Sequence, residues 1–249
     1  LMGHNGCGKS TLLDCLLGVH TLAQGEILVD KVPISSYTPM ELARKISYIP
    51  QVHDKSFPYK TRQIVLMGRT AYIGGFGSPG EEDKEIVKKA MEAGGISHLA
   101  DRPYTQLSGG EMQMAILARA LVQDTPLIIM DEPTAHLDFY NELLFLETAV
   151  DLVQKSGKTV IMATHSPNQA FYLENQGIPV RVGVMLNGRI FAEGAPSQIL
   201  TGESMELLYR IRAKILSQKE EETQTVLRQI VPLSTLKKEE NRNAEGHEK

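Results

Sequence analysis

The sequence predicts an α/β fold with a helical subdomain inserted in it, and three observations carry that prediction. Short apolar runs of strand character alternate with helical periodicity over residues 10–50 and again from residue 127 onward. A glycine-rich loop runs straight into a helix near the start, and between Gln51 and Leu107 strand-like runs disappear while helical ones take over. A chain of 249 residues that is 42% apolar and 22% charged has enough material to bury a real core.

Taken in order, Ser10 to Leu17 reads as a helix with Leu12, Leu13, Leu16 and Leu17 on its apolar face, closed by Gly18, and Ile27 to Val29 as a short strand. Thr38-Pro39-Met40-Glu41 has the form of a capping box with proline at the first helical position. Ile46 to Ile49 is a strand that Pro50-Gln51 ends. Ser78-Pro79-Gly80-Glu81 caps a helix whose Ile86, Val87, Ala90 and Met91 share a face, and Gly74 to Gly80 is a loop. Strands follow at Leu127 to Met130, Thr159 to Ala163 and Val180 to Leu186, with a tight hairpin turn at Asn187-Gly188. Beyond about Ser217 the chain is dense in Glu, Lys, Gln and Asn and reads as solvated or partly helical.

Charge and cysteines exclude several classes. With 26 Lys+Arg against 30 Asp+Glu the net charge is −4, which argues against a dedicated nucleic-acid partner. Cys7 and Cys15 are the only cysteines and read as reduced thiols, which leaves no disulfide scaffold and no cysteine metal cluster. Apolar runs such as Leu127 to Met130 fall far short of the ~20 residues a bilayer crossing needs, so any membrane association is expected to be peripheral.

Three motifs carry chemistry. Gly3-His4-Asn5-Gly6-Cys7-Gly8-Lys9-Ser10 matches G-x-x-x-x-G-K-[ST], a loop whose backbone N–H groups curl round phosphates at a helix N-terminus. Lys9 would reach the phosphates as a point charge and Ser10 would ligate Mg²⁺, with Thr11 beside it. The same residues would also make an ordinary glycine-rich turn leading into a helix. Leu127 to Met130 is an apolar strand ending in Asp131-Glu132. Asp131 can hold Mg²⁺ through water, and Glu132, pointing the other way, can polarise an attacking water. Surface or helix-capping acids are the other reading of that pair. Leu107-Ser108-Gly109-Gly110-Glu111 opens a further helix, with Ser108 as N-cap and Gly109 and Gly110 allowing close approach of a phosphate, although a plain capping box fits as well.

With the third motif lying just before the acidic strand, the sequence resembles the ATP-binding-cassette (ABC) ATPases, whose signature motif reads Leu-Ser-Gly-Gly-Glu here. The resemblance implies a P-loop NTPase with a RecA-like core, a mostly parallel sheet and an inserted helical subdomain. It covers nearly all of the chain to His165 and continues through Asn187 to Ile190 and Gly194 to Pro196. By resemblance, Gln51 is the Q-loop glutamine that contacts Mg²⁺ and the attacking water, Ala135 to Asp138 is the D-loop that crosses to a partner ATPase, and His165 is the switch histidine at the γ-phosphate. His4, His53 and His136 receive no side-chain chemistry. Glu41 to Ile46 and Val65 to Arg69 resemble the ATPases of iron-siderophore, haem and cobalamin importers and are read as encoding the membrane partner. Met112 and Ser166 depart from the family's usual residues without removing a catalytic group.

The resemblance then implies an ATP-binding and ATP-hydrolysing subunit of such an importer, using ATP and Mg²⁺. It would pair head to tail with a second copy so that Lys9, Ser10 and Thr11 of one chain face Ser108 and Gly110 of the other. It would engage transmembrane permease subunits at the cytoplasmic face of the membrane and, through them, a substrate-binding protein. The domain is expected over residues 1–216, with the helical subdomain at about 55–122 and a charged tail at 217–249. The start is expected to be truncated, because the family carries a supporting strand and an adenine-stacking aromatic residue ahead of the phosphate loop. The rival class, a soluble ABC ATPase of DNA repair or translation, would need a long coiled coil or a second cassette; Gly8 and Ser108 stand 100 positions apart with no heptads between them. A non-catalytic fragment is opposed by retention of Lys9, Asp131, Glu132 and His165.

Overall fold

The computed structural model describes residues 1–51, 58–73, 77–220 and 226–236. Expectations placed on His53, on the start of the helical subdomain near 55, on residues 74–76 and on residues 221–225 and 237–249 of the tail fall outside the described residues. The chain divides into two compact units, residues 10–163 and residues 1–9 with 164–249.

In residues 10–163, α1 (Lys9–Leu16) leads from the phosphate loop and buries Leu13. The pair β1 (Leu28–Val29) and β2 (Val32–Pro33) forms a small antiparallel ribbon. Helix α2 (Pro39–Ala43) starts at the predicted capping box: Thr38 Oγ1 accepts from the Glu41 N–H at 3.3 Å and Glu41 Oε2 accepts from the Thr38 N–H at 2.8 Å. Then come β3 (Ile46–Ile49), α3 (Thr61–Leu66), α4 (Glu81–Ala93), α5 (Gly109–Val122), β4 (Leu127–Asp131), α6 (Phe139–Gln154) and β5 (Thr159–Ala163). The strands form a parallel sheet in the order β3-β4-β5, with Ile46 opposite Leu127 and Leu127 opposite Thr159. The central position of β4 buries Ile128 to Asp131, which is why its sequence is continuously apolar up to the carboxylate. Helices α3, α4 and α5 pack together through Val65, Val87, Met91, Ile116 and Leu117.

One cap differs from expectation. Helix α4 begins at Gly80, whose N–H donates to Asp83 at 3.0 Å, and not at Ser78. The acid three residues after Gly80 satisfies the helix start, and Glu81, Glu82 and Asp83 place negative charge against the N-terminal dipole.

In the other unit, Met2 bridges Thr164 and Val184 in parallel fashion. It contains α7 (Pro167–Asn175), the hairpin β6 (Val182–Leu186) and β7 (Arg189–Gly194), α8 (Pro196–Ile199), α9 (Gly202–Tyr209), and a second hairpin of β8 (Ile211–Lys219) and β9 (Val226–Thr235). Asn187 and Gly188 adopt φ of +48° and +75°, the left-handed pair of a type I′ turn. Beyond Ser217 the described residues are extended and not helical: Ser217 to Lys219 pair with Val226 to Arg228, and all but Arg228, Ile230, Val231 and Leu236 are exposed. Ahead of that segment Ile211, Ala213 and Ile215 alternate inward and, with Ile230, pack near Phe171, Met205 and Leu208, while Arg212 and Lys214 between them are exposed. Among the described residues no helix is long and apolar enough to cross a membrane.

Candidate functional site

The glycine-rich loop is closed on itself. The Cys7 N–H donates to the His4 carbonyl at 3.3 Å, and the Gly188 N–H donates to the Cys7 carbonyl at 3.0 Å. Gly8 sits at φ +103°, a conformation that a side chain would strain. A Cβ at Gly3 would lie 2.5 Å from the Met185 carbonyl oxygen, so the backbone there has no room for one. Lys9 is buried, and its Nζ donates to the carbonyls of Gly3 at 3.0 Å and His4 at 3.4 Å. The ammonium is thereby held within the loop that a phosphate would enter, while His4, Asn5, Gly6, Ser10 and Thr11 are exposed.

Strand β4 delivers two carboxylates to different surroundings. Asp131 is buried, and its Oδ1 has no hydrogen-bond partner among the described residues. Glu132 is half-buried and adopts φ +44°, a left-handed geometry of the kind that costs ~1–3 kcal/mol and persists where surrounding structure enforces it. Its N–H donates to the Ala163 carbonyl at 2.9 Å, and its own carbonyl accepts from Ala135 at 3.2 Å. Gln51 Nε2 donates to Glu132 Oε2 at 3.2 Å. That contact follows from topology: Ile49 and Met130 are opposed in adjacent parallel strands, so the residues leaving β3 and β4 emerge side by side. The Tyr48 hydroxyl is pushed up to about 12, first by burial and then by the negative charges of Asp131 and Asp14.

A divalent cation fits this chemistry. An unpartnered carboxylate oxygen in a buried position is costly unless something positive completes it. No three His, Cys, Asp or Glu side chains cluster as metal ligands among the described residues. Oxygen donors such as those of Asp131, Ser10 and Gln51 suit Mg²⁺, which keeps much of its water and leans on nucleotide phosphates.

Ser108 caps α5 as predicted: its hydroxyl accepts from the Glu111 N–H at 3.3 Å and its own N–H donates to Glu111 Oε2 at 2.7 Å. Ser108 and Gly109 are exposed and Gly110 is buried. Asp138 caps α6, its Oδ1 accepting from the backbone N–H of Asn141 at 2.8 Å and the side-chain amide of Asn141 at 2.9 Å. A Cβ built at Gly110 would stand 2.6 Å from Cγ of that same Asn141. The motif at Ser108 to Gly110 and the loop ending at Asp138 are thus joined within one chain.

His165 is exposed in the turn before α7. Thr164 and Gln169 flank it, their side chains hydrogen-bonded to each other at 2.7 Å, and the Ser166 N–H donates to Thr164 Oγ1 at 3.0 Å.

These contacts bring together Lys9 with its loop, Gln51 with Glu132, and Ser108 to Gly110 with Asp138. Asn141 escaped the sequence reading, although the Asp138-x-x-Asn141 spacing after a loop is itself an N-cap signal.

The chain matches the ABC transporter domain over residues 1–135. The chain belongs to the ABC transporter family. As an ABC ATPase it binds and hydrolyses ATP. Among its relatives, the molybdate import ATP-binding protein MolC of Haemophilus influenzae is 37% identical over 85% of this chain and 76% of its own length. The hemin import ATP-binding protein HmuV of Nocardia farcinica is 36% identical over 87% and 72%. The ferric enterobactin transport ATP-binding protein FepC of Escherichia coli is 37% identical over 87% and 78%. Of solved structures, an inward-facing transporter assigned to the metal-chelate ABC type superposes with a TM-score of 0.80 at 34% identity, covering 94% of this chain and 86% of that one. A dimeric bacterial ABC transporter cassette gives 0.66 at 26% identity, covering 78% and 83%.

Proposed function

We propose that this ABC ATPase powers an importer of iron complexes, such as a siderophore chelate or haem, or of cobalamin. The names of HmuV and FepC and the metal-chelate transporter support that cargo class. MolC, named for molybdate import, points to the competing cargo that the uptake test below must separate. The ATPase works as a head-to-tail pair, a reading that the dimeric cassette favours. It sits on the cytoplasmic face against permease subunits, through which it serves a substrate-binding protein.

The observation that carries the mechanism is the hydrogen bond from Gln51 to Glu132 beside the unpartnered Asp131 oxygen. Residues Gly3 to Thr11 hold the phosphates, with Lys9 countering their charge. Asp131, Ser10 and Gln51 would hold Mg²⁺, which neutralises phosphate charge when bound. Gln51 orients the Glu132 carboxylate, and Glu132 aligns water or takes its proton for in-line attack on the γ-phosphate. His165 stabilises the charge that builds there. Ser108, Gly109 and Gly110, with Asp138, close the nucleotide from the partner copy.

Glu132→Gln tests the assignment, since the amide keeps the shape but cannot accept a proton. Nucleotide affinity is expected to persist while phosphate release falls by about 10²-fold or more. Turnover at the wild-type rate would overturn it. For the cargo, vesicles bearing the permease complex should take up a ferric chelate, haem or cobalamin on ATP addition; uptake of molybdate alone would overturn the iron-complex and cobalamin reading.

A further inference from the structure

Asn168 pairs its side-chain amide with both backbone groups of one residue 62 positions away in the sequence. Its Oδ1 accepts from the Ile230 N–H at 2.7 Å and its Nδ2 donates to the Ile230 carbonyl at 3.2 Å. Both bonds form in only one orientation of the amide, so the pairing fixes the side chain completely. Asn168 lies in the first turn of α7, three residues after His165, and Ile230 lies in β9. The amide thus occupies two edge groups of a strand that would otherwise be left to solvent or to another chain.

Further packing and polar contacts surround this pairing. Ile230 is buried together with Ala170 and Phe171 of α7, and Arg228 of β9 lies 3.7 Å from Glu174 near the end of the same helix. On the other flank of His165, the buried pair Thr164 and Gln169 is hydrogen-bonded at 2.7 Å. The histidine turn is therefore pinned on one side by Thr164 and on the other, through Asn168, by the C-terminal hairpin.

We infer that Asn168 is a positioning residue for His165, and that the hairpin of β8 and β9 braces the histidine turn for catalysis. The inference rests on the proposed role of His165 at the γ-phosphate. Loss of the bracket lets the first turn of α7 move, and displacement of a transition-state contact by about 1 Å can cost up to 10²-fold in rate. Nucleotide binding, which uses the phosphate loop, is left in place.

The test is steady-state Mg²⁺-ATP turnover by the full chain carrying Asn168→Ala, His165→Ala or both, with the affinity for a fluorescent ATP analogue measured in parallel. Asn168→Ala is expected to lower kcat by about tenfold or more with KM changed less than about twofold, and to add nothing in the His165→Ala background. Asn168→Asp, which keeps the acceptor for the Ile230 N–H and loses the donor, should fall between; it also serves if the alanine variant does not fold. If His165→Ala turns over like wild type, the role assigned to His165 fails and the inference with it. If His165→Ala is slow but Asn168→Ala is not, or if Asn168→Ala slows the His165→Ala protein further or raises only KM, the inference alone is overturned.

Discussion

Asn141 lies on Gly110 so closely that a Cβ at position 110 would stand 2.6 Å from its Cγ and 2.7 Å from its Nδ2. A longer side chain could swing aside, but Asn141 is short and its amide is tied to Asp138 Oδ1 at 2.9 Å. Gly110→Ala is therefore expected to destabilise the fold by about 1–3 kcal/mol through overpacking. Adding Asn141→Ala should restore most of the lost denaturation midpoint, because it removes the atoms that the new methyl meets. A double variant no more stable than Gly110→Ala would show that the clash is relieved elsewhere.

The buried, unpartnered oxygen of Asp131 predicts a metal-linked phenotype. Asp131→Asn keeps the volume and removes the charge, so the metal-free fold should keep its thermal midpoint. The Mg²⁺ concentration for half-maximal ATP turnover should rise about 10–100-fold, the range for groups that hold a metal through an intervening ligand. An unshifted Mg²⁺ titration would remove Asp131 from the cation site.

Most of the candidate site was legible as sequence because its residues sit in local motifs of short spacing. The loop Gly3 to Ser10, the cap Ser108 to Glu111 and the strand end Asp131-Glu132 each declare themselves within eight residues or fewer. Contacts between distant segments were not legible. Nothing in the sequence says that Asn168 will bracket Ile230, because side-chain pairing with a strand edge leaves no periodic trace. The C-terminal hairpin was missed for a related reason, since the apolar alternation of Ile211, Ala213 and Ile215 is diluted by exposed Arg212 and Lys214 and ends before the dense polar run.

The stretches read as encoding the membrane partner also have an internal use. Arg44, from the first, and Arg69, from the second, stack on Tyr72, their guanidinium carbons 5.4 Å and 4.1 Å from its ring centre. Arg44 Nε donates to the Ala71 carbonyl at 2.8 Å, Arg69 Nε donates to Asp83 at 2.9 Å, and the Tyr72 hydroxyl donates to the Gln123 carbonyl at 2.8 Å. The cluster fastens the segment before β3 to α4 and the end of α5. Tyr72→Ala should cost about 1–3 kcal/mol in chemical denaturation, and Tyr72→Phe, which loses only the hydroxyl bond, about 1 kcal/mol. Equal costs for the two variants would mean that the ring stacking contributes nothing.

The cap of α5 predicts a pH dependence. The Glu111 carboxylate is held below its ordinary range chiefly by the Ser108 backbone N–H, against a smaller opposing effect of burial, and further by the Ser108 hydroxyl and by the positive charge of Arg102 and His98. A carboxylate whose pKa is depressed on folding contributes stability that is fully present above its unfolded value, about 4.3, and is lost as pH falls through the folded value. Glu111→Gln can still accept from the Ser108 N–H but carries no titrating charge. The thermal midpoint of the wild type should exceed that of Glu111→Gln near neutral pH, and the gap should close as the pH is taken down through the acid range below about 4.3. A gap that stays constant from pH 7 to pH 3 would mean that Glu111 caps the helix by shape alone, with its charge adding nothing.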